Sequence, residues 1–190
     1  MVQDIYIRLI NEIYIEYFRP NGWKKQGSNY RYIDDSGLGK IINFQKSKWS
    51  DVDNIEFFIN YGVYMEADSY IENKSFKEYN CQFRSRTKLH KGTYFLKENM
   101  NYETIKNEVL KALEETDTLF DKIEGKETFI LMILSGALQK QTEIPIMNYD
   151  TCKLLSDLGY YENIYEYVKT RGGRCFNALT EEIEMKMKGW

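Results

Sequence analysis

The stretch Ile55-Glu56-Phe57-Phe58-Ile59-Asn60-Tyr61-Gly62-Val63-Tyr64 decides the fold class. Side chains alternate along an extended chain, so Ile55, Phe57, Ile59, Tyr61 and Val63 share one face and Glu56, Phe58, Asn60, Gly62 and Tyr64 the other. The first set is a core face, which makes residues 54–64 a half-buried strand. Upstream, Ile42 and Phe44 alternate with Ile41, Asn43, Gln45, Ser47 and Trp49, giving a second strand over 40–49 with a row of amides and hydroxyls opposite its core face. Downstream, Gln82, Arg84 and Arg86 alternate with Cys81, Phe83 and Ser85 over 81–88, and a further strand is expected at 29–33. The joining segments, Asp34-Asp35-Ser36-Gly37-Leu38-Gly39 and Ser50-Asp51-Val52-Asp53-Asn54, carry turn residues, so the strands form an antiparallel meander.

The flanks are helical. Val2, Ile5, Tyr6, Leu9, Ile10, Ile13, Tyr14 and Tyr17 recur at three- and four-residue steps, which predicts a helix over 2–18 that ends at Pro20-Asn21-Gly22. Residues 65–80 are polar and irregular and read as a loop with room for a short helix. From Tyr102 the helical period returns: Ile105, Val109, Leu110, Leu113, Leu119, Phe120 and Ile123 line one side of 102–123. Further helices are expected at 126–141, 148–158, 162–170 and 175–188, separated by Pro145, Gly159 and Gly172-Gly173. The fold class is therefore α+β: an N-terminal helix, an antiparallel sheet of about four strands, and a mainly helical C-terminal half. The division expected is a helix-plus-sheet unit over 1–100 and a helical unit over 101–190 packed on or beside the sheet.

Pieces of this pattern carry a family resemblance. Gly22-Trp23-Lys24-Lys25-Gln26-Gly27 with Tyr30, then Ile42-Asn43-Phe44-Gln45-Lys46-Ser47, Phe58-Ile59-Asn60-Tyr61-Gly62-Val63-Tyr64 and Cys81-Gln82-Phe83-Arg84-Ser85-Arg86 stand in this order and spacing. In these pieces the chain from about 5 to 125 resembles the bacterial domain-of-unknown-function family numbered 4304, with Trp23 where that pattern usually has phenylalanine. The resemblance implies an α+β bacterial protein and brings no activity or catalytic residues with it.

Composition removes several function classes. A single histidine, His90, is too few for histidine-built zinc or haem sites. Cys81, Cys152 and Cys175 contain no Cys-x-x-Cys pair, so reduced, mostly buried thiols are expected. No metal and no cofactor is expected. The N-terminus has acids at Asp4, Glu12 and Glu16 in place of the basic start of a signal peptide, and Phe129–Leu138 is about half the ~20 residues that cross a bilayer. A cytoplasmic protein without membrane contact is the expectation, so the Asn73-Lys74-Ser75 sequon would go unmodified. Residues 1–100 hold 15 Lys and Arg against 13 Asp and Glu, and 101–190 hold 11 against 16. That balance argues against a nucleic-acid partner.

The candidate ligand face comprises Asn43, Gln45, Ser47, Asn60, Arg84 and Arg86, which stand on one side of the sheet if the register is right. Arg84 and Arg86 are suited to fork onto a carboxylate or phosphate, with Trp49, Phe58 or Tyr64 stacking on a planar group. The competing reading is a solvated face whose polar groups satisfy one another, the arginines neutralised by Glu56 or Glu78. Asp34, Asp35, Asp51 and Asp53 read as turn residues, His90 as a loop histidine or a general base. Lys24, Lys25 and Arg31, with Lys46 and Lys48 and the aromatics Trp23, Tyr30, Tyr32 and Trp49, read as edge decoration or a single-strand grip. Tyr160, Tyr161, Tyr165 and Tyr167 read as packing or a protein contact. The expected function is a non-enzymatic binding or interaction protein that holds an anionic ligand or a partner protein. The alternative is an enzyme acting on a phosphate- or carboxylate-bearing small molecule.

Overall fold

The structure, a computed structural model, describes residues 1–68, 71 and 74–189, the side chains of His90 and Lys91 excepted. The Asn73 sequon and the His90 imidazole thus lie outside the described residues. Helix α1 (Val2–Ile13) buries Val2, Tyr6, Leu9, Ile10 and Ile13 along the stripe its sequence prescribes. The helix widens into a π-helical turn at Tyr14–Phe18 and ends in a 3₁₀ turn, Arg19–Asn21. Gly22 at φ 79° closes it with its N–H on the Arg19 carbonyl, a left-handed position that suits glycine.

Six strands follow among the described residues: β1 (Lys24–Gln26), β2 (Asn29–Ile33), β3 (Leu38–Lys46), β4 (Asn54–Met65), β5 (Phe83–Arg86) and β6 (Thr93–Lys97). They form one antiparallel sheet in the order β1-β2-β3-β4-β5, with β6 also on β4. The 12-residue β4 is long enough for two partners on one edge: β5 pairs with its Asn60–Val63 part and β6 with Asn54–Phe58. Two strands exceed the expected four. β1 is three charged or amide residues with no apolar alternation, whereas Tyr94 and Leu96 of β6 do alternate inward.

Strand ends also differ from expectation. β3 stops at Lys46 because Ser47 and Ser50 take over as turn residues: the Ser50 Oγ donates to the Glu56 carbonyl and accepts the Glu56 N–H, standing in for a strand neighbour. Asp34 accepts the N–H groups of Ser36 and Leu38, and Asp51 those of Asp53 and Asn54, so both carboxylates serve their own turns.

One sheet face carries Tyr30, Ile42, Phe44, Phe57, Ile59, Tyr61 and Val63 into a core shared with α1 and α2 (Tyr102–Asp121). Phe18 stacks on Tyr30 at 4.7 Å, and Tyr30 meets Phe44 edge-on at 5.4 Å. Two of the buried phenols reach backbone acceptors: Tyr6 Oη donates to the Phe44 carbonyl (3.0 Å) and Tyr30 Oη to that of Ile10 (2.8 Å). Burial pushes the Tyr6 hydroxyl up to about 12, so both bonds persist at any ordinary pH.

Beyond α2, α3 (Lys126–Leu134) ends seven residues short of the expected 141, because Gly136 turns the chain at φ 72° after Ser135. The chain then runs through a 3₁₀ turn at Gln139–Gln141 to α4 (Tyr149–Asp157), α5 (Tyr161–Arg171) and α6 (Arg174–Met187). Asn148 caps α4 on the Thr151 N–H, as Asn101 caps α2. Lys153, Asp157, Glu182 and Lys186 tie α4 to α6 by ion pairs. Tyr160, Tyr161, Tyr165 and Tyr167 pack against the core, with Tyr165 bonded to Glu184 and Tyr167 to the Met147 carbonyl. No helix among the described residues is long and apolar enough to cross a membrane.

Candidate functional site

Register decides the polar face. Asn29 pairs with Asn43, Asn43 with Asn60, Asn60 with Arg86, and Gly62 with Arg84. Directly opposed residues of an antiparallel pair share a face, so Asn43, Gln45, Asn60, Arg84 and Arg86 lie on one side of the sheet, away from the main core. Ser47 stands past the strand end, where its hydroxyl accepts the Trp49 N–H inside the turn.

The amides form a directed chain. Arg86 Nε donates to Asn60 Oδ1 (3.0 Å), Asn60 Nδ2 to Asn43 Oδ1 (3.2 Å) and Gln45 Oε1 (2.8 Å), and Asn43 Nδ2 to Asn29 Oδ1 (2.9 Å). A guanidinium only donates. Its presence at one end therefore fixes Asn60 with its oxygen outward, and each following amide must point the same way. At the far end Asn29 Nδ2 faces the Gln26 carbonyl, a pure acceptor, at 3.5 Å. Asn29, Asn43 and Asn60 are buried, so the row is satisfied internally rather than by solvent.

Arg86 is held further by the Phe58 ring, with its guanidinium carbon 4.0 Å from the centroid. Gly92 at φ +79° makes room for this pose, since a Cβ there would lie 2.5 Å from Arg86 Cδ and 2.9 Å from the Thr87 carbonyl. The Arg84 guanidinium makes no hydrogen bond or ion pair among the described residues, and Arg86 makes no ion pair among them; neither Glu56 nor Glu78 is an ion-pair partner of either. The expected aromatic platform is otherwise engaged: Phe58 carries Arg86, Tyr64 stacks on Phe76 at 4.7 Å, and Trp49 lies exposed under Lys48.

Above this floor lies a cleft of about 750 Å³. Gln45, Asn60, Arg84 and Arg86 line it, whereas Asn43 and Ser47 do not. Its wall is the segment 140–144, clamped to the outer edge of β5: Thr142 Oγ1 donates to the Arg84 carbonyl (2.8 Å) and Ser85 Oγ to that of Gln141 (3.0 Å). Lys88 and Lys140 add positive charge at the rim, and Glu78 and Glu143 are its acids. The expectation of a helix through 141 concealed this wall. Gly136, with Pro145 beyond it, was the signal that the helix stops short of this segment.

The family model for a domain of unknown function, DUF4304, matches residues 15–149. The chain belongs to this family. The DUF4304 match starts at residue 15 rather than about 5 and runs past 125 to 149, taking in the whole cleft, wall included, and all the strands of the sheet. Trp23, half-buried, packs on Phe18, Tyr32 and Phe120 at the edge of the core. Searches of curated proteins and of solved structures each found no significant match.

Proposed function

We propose that the cleft between the β4–β5 face and the 140–144 wall binds a small anionic ligand bearing phosphate or carboxylate groups. The observation that carries this reading is the pair Arg84 and Arg86: two guanidiniums on one face, without carboxylate partners among the described residues, one pre-oriented by Asn60 and Phe58. Nε of Arg86 is taken by Asn60, which leaves its outer N–H groups for a bidentate contact. Four cations against two acids give the cleft a positive field that favours anions. Its volume suits a metabolite-sized ligand.

Binding is favoured over catalysis because the hydroxyls at the site are committed to structure. Ser85 and Thr142 donate to carbonyls, and Thr87 Oγ1 bonds Tyr94 Oη. A role as a binding protein of a bacterial cytoplasm is part of the same proposal, and the three free cysteines suit a reducing compartment.

Thermal shift with a panel containing ATP, pyrophosphate and citrate tests the reading. A ligand at 100 times its Kd stabilises by about 2.7 kcal/mol. For a chain of this size that is roughly a 5–11 °C rise in Tm. Arg84→Ala with Arg86→Ala should abolish the rise given by citrate, the member of the panel without a phosphate group. A double variant that responds to citrate like its parent overturns the assignment.

A further inference from the structure

A second basic cavity lies on the same sheet face at its opposite edge, where β1 pairs with β2. It measures about 180 Å³ and is lined by Gly22, Lys24, Lys25, Gln26, Arg31, Ile33 and Lys74, with no acidic residue among them. Its floor is Arg31, an arginine only 5% exposed. The guanidinium donates to the carbonyls of Phe76 and Ser75 and to Gln26 Oε1, all neutral acceptors. It makes no ion pair among the described residues. Of five N–H groups, two have no acceptor among them.

Burying a cation without an ion-pair partner is costly, and hydrogen bonds to neutral groups, with the more distant charge of Glu78, compensate only in part. Burial pulls the Arg31 affinity for its proton below the ordinary value. The neighbour directly across the strand pair makes matters worse. Lys24 is the register partner of Arg31, so two cations share one face of a two-stranded edge, an arrangement that is destabilising unless something negative lies between them. The Lys24 ammonium is exposed and makes no hydrogen bond or ion pair among the described residues. Lys25, one residue on, also lines the pocket, but its ammonium bonds Asn11 of α1 on the other side of the strand.

We propose that this pocket binds one phosphate-sized oxyanion, held by the two remaining N–H groups of Arg31 and by the Lys24 ammonium. The volume is several times the ~30 Å³ share of a water molecule, enough for a phosphate and too small for the organic body of most metabolites. Bound there, the anion neutralises a buried charge and relieves the Lys24–Arg31 repulsion. It also fixes the Ser75–Phe76 backbone, which Arg31 already holds, against β2. The site is separate from the Arg84–Arg86 cleft and does not depend on it.

The test uses inorganic phosphate on the full chain carrying Arg84→Ala and Arg86→Ala, so that the other cleft is silent. Isothermal titration and thermal shift, against chloride at matched ionic strength, should show one phosphate bound and a raised Tm. Adding Lys24→Glu, an exposed change that leaves the core untouched, should weaken phosphate binding at least about tenfold, the 1.4 kcal/mol step expected for a lost charged contact. A parallel titration with phenyl phosphate separates free anion from phosphate carried on an organic group: equal affinity supports a site open to esters, and binding of inorganic phosphate alone supports one closed over the ion. No phosphate response beyond chloride in the Arg84→Ala/Arg86→Ala protein, or Lys24→Glu binding as tightly as its parent, overturns the proposal.

Discussion

Replacing Asn60 by alanine removes the middle of the amide chain, and the cost can be worked from the burial of each partner. Three bonds are lost: to Arg86, Gln45 and Asn43. Arg86 and Gln45 are exposed and exchange the lost bond for water at little net cost. Asn43 is only 9% exposed, and its Oδ1 is left without a donor. An orphaned buried acceptor costs about 1–3 kcal/mol, and Asn43 cannot recover by flipping, because that would break its bond to Asn29. At 2–4 °C per kcal/mol for a chain of this size, Asn60→Ala should lower Tm by about 2–12 °C, whereas Gln45→Ala at the exposed branch should change stability by less than about 0.5 kcal/mol. Urea and thermal unfolding followed by circular dichroism measure both. Equal effects of the two variants would show that the row is a solvated surface and not a directed chain, and would refute the reasoning.

Gly62→Ala should destabilise by about 1–3 kcal/mol through overpacking. A Cβ there would lie 2.9 Å from both the Cys81 Sγ and the Phe83 carbonyl, and the backbone of β5 cannot step aside without moving Arg84; denaturant unfolding gives the value. Glu12 accepts hydrogen bonds from Arg8, Tyr102 and Lys106, which hold its carboxyl down at about 2. A lowered folded-state pKa contributes stability that is present above the ordinary value of 4.5 and is lost as pH falls from there towards 2. Glu12→Gln should therefore melt about 1–3 °C below the parent at pH 7, a gap kept small by solvent screening, and the two melting temperatures should converge near pH 2. A gap that persists in acid contradicts the assignment.

Much of this arrangement was legible in the residues. The two-residue beat through Ile55–Val63 placed the core face, and counting it in β3 and β5 put Gln45 and Arg84 on the same side, where the pairing register has them. The beat carries no information about what stands above a face. Which of six polar side chains reach a cleft depends on the 140–144 segment, more than 50 residues away in sequence, and on Ser85 and Thr142 bonds that leave no local pattern. Ser47 kept the right parity, yet a serine turn ended the strand before it. β1 escaped notice for the converse reason. Its three residues show no apolar alternation, and its lysines pattern like edge decoration although one of them stands opposite the buried Arg31.

The most direct test of the anion cleft is to watch its guanidiniums. In a ¹⁵N-labelled sample titrated with pyrophosphate, the side-chain Nε–H resonances of Arg84 and Arg86, assigned through Arg84→Lys and Arg86→Lys, should shift together along one saturating curve. Saturating shifts that leave both resonances in place would contradict the account, wherever else in the molecule they fall.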